Sequence, residues 1–235
     1  MAVILSIETS GTACSVALSA DGMVLNHSEE LQGRNHAALL SDFIKRALDY
    51  LQEHELKLDA VAVSTGPGSY TGLRIGLSEA KGLAYALDVP LIGVDTLRLM
   101  TTQVMFSRPE LTGDEIFVPM VDARRMEVYT AAFDIALEPL MPEQPLILDS
   151  GSYASILATS RPVLFFGNGS DKARELLSNA GNAVLVPGIN PLAVDMLALA
   201  DKAYSQREFI DLAYSVPNYI KDFQATRPKN SVLGQ

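Results

Sequence analysis

The 235-residue chain has 18 basic and 28 acidic side chains, a net charge of −10, and 48% hydrophobic residues. That balance opposes unaided binding to a phosphate backbone, so any role on nucleic acid needs another subunit to hold the nucleic acid. No apolar run approaches the roughly 20 residues of a membrane span, and Met1 opens no charged-then-apolar leader, so a soluble cytoplasmic protein is expected. Cys14 is the single cysteine, which excludes an internal disulfide; its alternating apolar surroundings make it a small buried thiol.

In chain order, Val3–Glu8, Ala13–Leu18 and Met23–Glu30 read as short strands, with Gly11 and the Asp21-Gly22 pair supplying the turns of a meander. Leu39, Leu40, Phe43, Ile44, Ala47, Leu48 and Leu51 then recur at helical spacing. This predicts an amphipathic helix over His36–Glu53 with Asn35 as N-cap. Ala60–Thr65 is an apolar strand, Gly66–Gly72 a glycine-rich loop, Leu73–Leu87 a helix ending before Pro90, and Leu91–Val94 a further strand. Hairpin-paired strands followed by strands separated by helices imply a mixed sheet with helices on its faces, a ribonuclease H-like unit.

After a less regular stretch at Phe106–Asp114, strands at Ile116–Asp122 and Glu127–Asp134 begin a second unit. It continues through Leu146–Leu148, a helix near Ser152–Thr159, a strand at Val163–Phe166, a helix near Asp171–Asn179 and an apolar stretch at Ala183–Val186. The element order approximately repeats that of the first half. The expected fold is therefore α/β: two ribonuclease H-like domains of the actin-like (ASKHA) kind, residues 1–107 and 108–235, each a mixed sheet flanked by helices. The final helix and tail are expected to pack back on the first domain. Such a fold licenses no particular activity.

Two loops have the composition to meet an anion. Ile7-Glu8-Thr9-Ser10-Gly11-Thr12 joins the first strands and reads either as a phosphate-facing turn or as a plain hairpin. Gly66-Pro67-Gly68-Ser69-Tyr70-Thr71-Gly72 precedes a helix N-terminus, but it fits neither the Walker nor the dinucleotide glycine order. His27, His36 and His54 stand at no helical spacing to one another, so they form no metal pair, and His36 reads as a capping or packing residue. Glu29 and Glu30 are strand neighbours facing opposite sides, a poor acid/base pair. Asp122, Arg124, Arg125 and Glu127 form either a cleft-lining set or an ion-paired hairpin, and Arg74 either reaches a partner or pairs with Glu79.

The Glu8 loop, the string Gly66–Gly76, Val121-Asp122-Ala123-Arg124-Arg125-Met126-Glu127-Val128-Tyr129, Phe166-Gly167-Asn168-Gly169 and the closing Pro217-Asn218-Tyr219-Ile220-Lys221 together resemble the TsaB (YeaZ) family over nearly the whole chain. The resemblance implies a non-catalytic subunit of the machinery that makes threonylcarbamoyladenosine (t6A) in tRNA. Such a subunit homodimerises when alone, pairs with the related catalytic subunit TsaD, helps recruit the ATPase TsaE, and meets tRNA only through the complex and no membrane. It implies no catalytic residue, metal or required cofactor in this chain, with ATP held by TsaE and metal by TsaD. Where the catalytic relative has a His-x-x-x-His metal pair on a helix, this chain reads Asp95-Thr96-Leu97-Arg98-Leu99-Met100.

Family members dimerise through the two helices of the first domain, which places Leu39, Leu40, Phe43, Ala47, Gly72, Leu73, Arg74, Gly76, Leu77 and Ala80 at an expected partner interface. Gly72, Gly76 and Ala80, at spacings of four, form a smooth ridge that suits either a partner helix or the chain's own sheet. Thr9, Ser10, Gly11, Asp122, Gly167 and Gly169 are the candidates for a vestigial nucleotide cleft. The alternatives are an ATP-binding small-molecule kinase or ATPase of the actin-like superfamily, a glycoprotease-type peptidase, or a structural or chaperone-like module unrelated to tRNA. The peptidase lacks both a metal pair and a Ser/His/Asp set.

Overall fold

The computed structural model describes residues 2–33 and 36–221. The expected Asn35 cap, the His36 side chain and the tail 226–235 lie outside the described residues. The first sheet orders its strands β3-β2-β1-β4-β5, from β1 (Val3–Glu8), β2 (Cys14–Ala20), β3 (Met23–Glu30), β4 (Ala60–Gly66) and β5 (Leu91–Asp95). β1, β2 and β3 pair antiparallel, whereas β1, β4 and β5 run parallel. The second sheet repeats the order as β10-β9-β6-β7-β8, from β6 (Ile116–Asp122), β7 (Glu127–Phe133), β8 (Pro139–Ile147), β9 (Val163–Phe166) and β10 (Ala183–Val186). Its meander is antiparallel and its β6, β9 and β10 parallel. The chain thus has the actin-like fold, two copies of one sheet topology.

Strand alternation distributes the first core over two faces. Val3, Leu5 and Ile7 of β1 pack with Leu40, Phe43 and Ala47 of α1 (His36–Glu53) and Leu77 and Ala80 of α2 (Tyr70–Leu87). Ile4, Ala62 and Ile92 face the other way, onto Leu99 of α3 (Thr96–Ser107), Met196, and Ala200 of α6 (Leu197–Gln206). The second sheet covers one face with the short helices α4 (Ala154–Leu157) and α5 (Arg174–Leu177), through Ile156 and Leu177. Its other face receives Leu97, Met100 and Val104 of α3 against Phe117, Leu164 and Phe166. α3 is therefore shared between the sheets, while α6, the last helix among the described residues, closes the first domain.

Several local expectations change: the strand expected at Leu146–Leu148 is β8, which already begins at Pro139, and the helix expected near Ser152–Thr159 spans only Ala154–Leu157. α2 begins a turn early, at Tyr70, because the Ser69 hydroxyl accepts from Gly72 N at 3.2 Å and caps it. The less regular stretch expected at Phe106–Asp114 follows a full helix, α3, capped by Asp95, whose carboxylate accepts from Arg98 N at 2.8 Å. The helix expected near Asp171–Asn179 is a 3-10 turn, Ser170–Ala173, followed by the four residues of α5.

Candidate functional site: the interdomain cleft

The loop after β1, the start of α2 and the β6–β7 hairpin meet across a cleft of about 810 Å³. One wall carries Ser10, Gly11, Thr12 and the Gly68–Thr71 turn; the other carries Asp122, Arg124, Arg125, Glu127 and Asn168. Arg124 and Arg125 hold the turn in left-handed backbone (φ 70° and 49°), and Asp122 Oδ1 accepts from Arg124 N at 2.6 Å. The hairpin acids pair with lysines rather than with its own arginines: Asp122 with Lys172 Nζ at 2.6 Å, and Glu127 with Lys221 Nζ. Asn168 Oδ1 accepts from Asp122 N at 2.8 Å, tying the hairpin to the loop after β9.

Of the residues expected in the cleft, Ser10, Gly11 and Asp122 line it. Thr9 does not. It is fully buried, its Oγ1 donates to Gly72 O at 2.8 Å, and the backbone of α2 lies directly over it. Gly167 and Gly169 also turn away: a Cβ on Gly167 would lie 2.4 Å from Met120 O and one on Gly169 2.9 Å from a Val128 methyl. Both glycines serve close packing on β6 and β7, and Asn168 between them is the residue that faces the cleft.

The glycine ridge of α2 resolves the same way. A Cβ on Gly72 would lie 2.1 Å from Thr9 O, and one on Gly76 2.2 Å from Thr9 Oγ1. The ridge faces inward, onto the β1 loop. Leu40, Phe43, Ala47, Leu73, Leu77 and Ala80 are likewise buried in the chain's own core, and Leu39 is half-buried against it. Among the ten expected interface residues only Arg74 is exposed. It does not pair with Glu79; its Nε donates to Tyr219 Oη at 3.0 Å and its guanidinium lies 4.3 Å over the Tyr70 ring. Glu79 instead accepts from Ser41 Oγ of α1 at 3.3 Å.

Beneath the cleft, Glu8 is fully buried and its Oε1 accepts from Ser10 N at 2.5 Å. Burial pushes its carboxyl up to about 7, against the pull of the Ser10 and Ser64 groups beside it. Its Oε2 and both serine hydroxyls lack a well-aligned hydrogen bond. Burial, with the Glu8 charge behind it, pushes the Cys14 thiol up to about 11, which keeps it protonated and inert at neutral pH. At the seam between domains, burial and the neighbouring Asp95 charge push Glu143 up to about 7, while burial raises Asp95 to about 6. Sequence patterns gave no sign of Glu143 at the domain seam or of Tyr219 on the cleft wall, because each reaches its place through tertiary contacts with residues over 70 positions away.

A family model described as "TsaD: tRNA N6-adenosine threonylcarbamoyltransferase" matches residues 26–230. Relatives include the tRNA threonylcarbamoyladenosine biosynthesis protein TsaB of Bacillus subtilis (strain 168), 27% identical over 93% of each chain. The protein of that name from Escherichia coli (strain K12) is 29% identical over 93% of this chain and 94% of its own. The solved structure of YeaZ from Pseudomonas aeruginosa superposes with a TM-score of 0.75 at 28% identity, covering 93% of this chain and 100% of that one. The chain belongs to the TsaB (YeaZ) family. At 95–100, where the sequence resemblance would set a metal pair, Thr96, Leu97, Leu99 and Met100 are buried, with Leu97, Leu99 and Met100 packed between the sheets, and these side chains do not suit an ion. Among the described residues, no three His, Cys, Asp or Glu side chains gather to hold an ion, and no helix is long and apolar enough to cross a membrane.

Proposed function

We propose that the chain is a non-catalytic subunit of t6A synthesis on tRNA, which binds and orders TsaD and helps form the site for TsaE. The observation that carries this reading is α3. The helix that bears the metal pair in the catalytic relative here devotes its inward side chains to joining two cores. A residue set of that kind gives mechanical connection between domains and no Lewis acid. The acidic chain meets tRNA through its partners, and it contributes by favouring an active conformation of TsaD rather than by donating a group.

The partner surface in this reading is the outer face of α1 and α2, joined by the Ser41–Glu79 contact: Ala37, Ala38 and Ser41 on one helix, Ser78, Gly82 and Tyr85 on the other, all exposed. Small side chains there permit close helix approach, and Tyr85, 79% exposed, supplies an aromatic anchor at one end. The same face serves a second copy in the homodimer and TsaD in the heterodimer, so the two compete. A second reading, a nucleotide-binding kinase or ATPase, draws on the cleft's size; its acids Asp122 and Glu127 are already ion-paired.

The test is t6A formation on tRNA by TsaD, TsaE and threonylcarbamoyl adenylate, with and without this chain. Product that depends on the chain is the expected result. Equal product without it overturns the reading, and saturable Mg-ATP binding by the isolated chain would then favour the kinase alternative.

A further inference from the structure

Beyond α6 the chain leaves the helical layer and runs as an extended segment, residues 208–221, over the first domain. Ile210 N donates to Leu91 O at 2.9 Å, and the Ile210 side chain fills the space that a Cβ on Gly93 would need, 3.0 Å away. Asp211 turns the segment by accepting from Ala213 N and Tyr214 N at 2.8 and 2.6 Å. Lys81 of α2 then donates to Ala213 O and Ser215 O at 3.2 and 2.6 Å. Asn218 N donates to Thr65 O at 2.7 Å, with Gly66 against its carbonyl, where a Cβ would come within 2.7 Å. Up to this point every anchor belongs to the first domain.

The last residues change sides. Asn218 Nδ2 donates to Glu143 of β8 at 3.1 Å, and Lys221 pairs with Glu127 of β7. Between them Tyr219 stays with the first domain, on the cleft wall, stacked on Tyr70 of α2 at 4.9 Å and bonded to Arg74 of the same helix. The two domains are also joined by α3, whose buried residues belong to both cores and cannot part without exposing them. The domains are thus joined by packed side chains on α3 and by polar, partly exposed side-chain contacts beside the cleft. Polar contacts of that kind exchange readily with water or a ligand, whereas a packed core does not.

We infer that residues 208–221 form a strap that holds the interdomain cleft closed, with the Asn218 side chain and Lys221 as its releasable end. The strap remains bound to the first domain when the end lets go, because Lys81, Leu91 and Thr65 hold it upstream. Release lets the β6–β7 hairpin swing away from α2 about α3, so occupancy of the cleft and domain angle are coupled.

Spin labels at Ser78→Cys on α2 and Asn179→Cys after α5, both exposed, read the angle when the labelled chain is diluted into an excess of unlabelled chain, so that only distances within one copy are seen, with Cys14 buried and unreactive. Electron–electron distance measurement on the full chain is expected to give one population. Asn218→Ala with Lys221→Ala is expected to add a longer-distance population. Lys221→Glu is expected to open the cleft and Glu127→Lys, added to it, to close it again. If the alanine pair loses its circular dichroism, the charge exchange decides alone. A folded alanine pair, or a folded Lys221→Glu chain, with an unchanged distance distribution would overturn the proposal.

Discussion

The two domains share one strand order and differ in what covers it. The first carries helices of 18 residues, α1 and α2, whose outer faces are open. The second makes do with helices of four residues, α4 and α5, on its outer face, and borrows α3 for its inner one. The sheets repeat one topology, and the helical layers on them differ. A four-residue helix offers a partner about one turn of surface, whereas 18 residues offer roughly 27 Å at 1.5 Å per residue. The domain with the long helices is the one equipped to present an interface, and the other supplies the far wall of the cleft.

Because the domains exchange helices, the comparison breaks if they unfold separately. Phe165, fully buried in the second core, is expected to cost about 3–5 kcal/mol on Phe165→Ala. Urea unfolding followed in both domains should move as one transition; a second-domain transition that leaves the first in place would show α3 to be a weaker tie than its packing implies.

The buried acid under the first domain's loop gives the next effect. Glu8 is raised from 4.5 to about 7, so between those values the unfolded chain has released its proton while the folded chain keeps it. Stability therefore falls as pH rises through that window and levels off above it, by on the order of 3 kcal/mol from this group. Glu8→Gln removes that loss. Its advantage over the parent should grow from near zero at pH 4 to its full value at pH 8, whereas a pH-independent difference would mean that Glu8 ionises normally.

Two glycines of α2 sharpen the contrast between its inner and outer faces. Gly76→Ala drives a methyl into Thr9 and is expected to cost about 1–3 kcal/mol. Gly82 has nothing within 4 Å of an added Cβ, so Gly82→Ala is expected to gain about 0.5–1 kcal/mol of helix stability in thermal unfolding. Opposite signs at two glycines six positions apart would confirm which face is which, and equal signs would refute the assignment.

What the sequence made legible follows from period. α1, with its clean stripe of Leu40, Phe43, Ala47 and Leu51, and β9, with its four apolar residues, are read with their bounds. α3 escaped because Thr101 and Thr102 are buried along with Leu97, Leu99, Met100 and Val104, which leaves no polar face to mark the repeat. The spacing of Gly72, Gly76 and Ala80 correctly announced a smooth ridge, but spacing carries no direction, and the ridge faces Thr9 rather than a partner. In the cleft, Ser10, Gly11 and the Asp122–Glu127 hairpin were visible as turn chemistry. The strap was not, since an extended segment docked by Lys81 and Thr65 has no periodicity of its own.

The most direct test of the account is size determination of an equimolar mixture with TsaD, for the parent chain and for Gly82→Arg. Arginine suits an exposed helix position better than glycine, so the fold should hold. The account predicts a heterodimer with the parent and separate components with Gly82→Arg; a heterodimer of undiminished stability with the variant would contradict the placement of the partner surface on the outer face of α2.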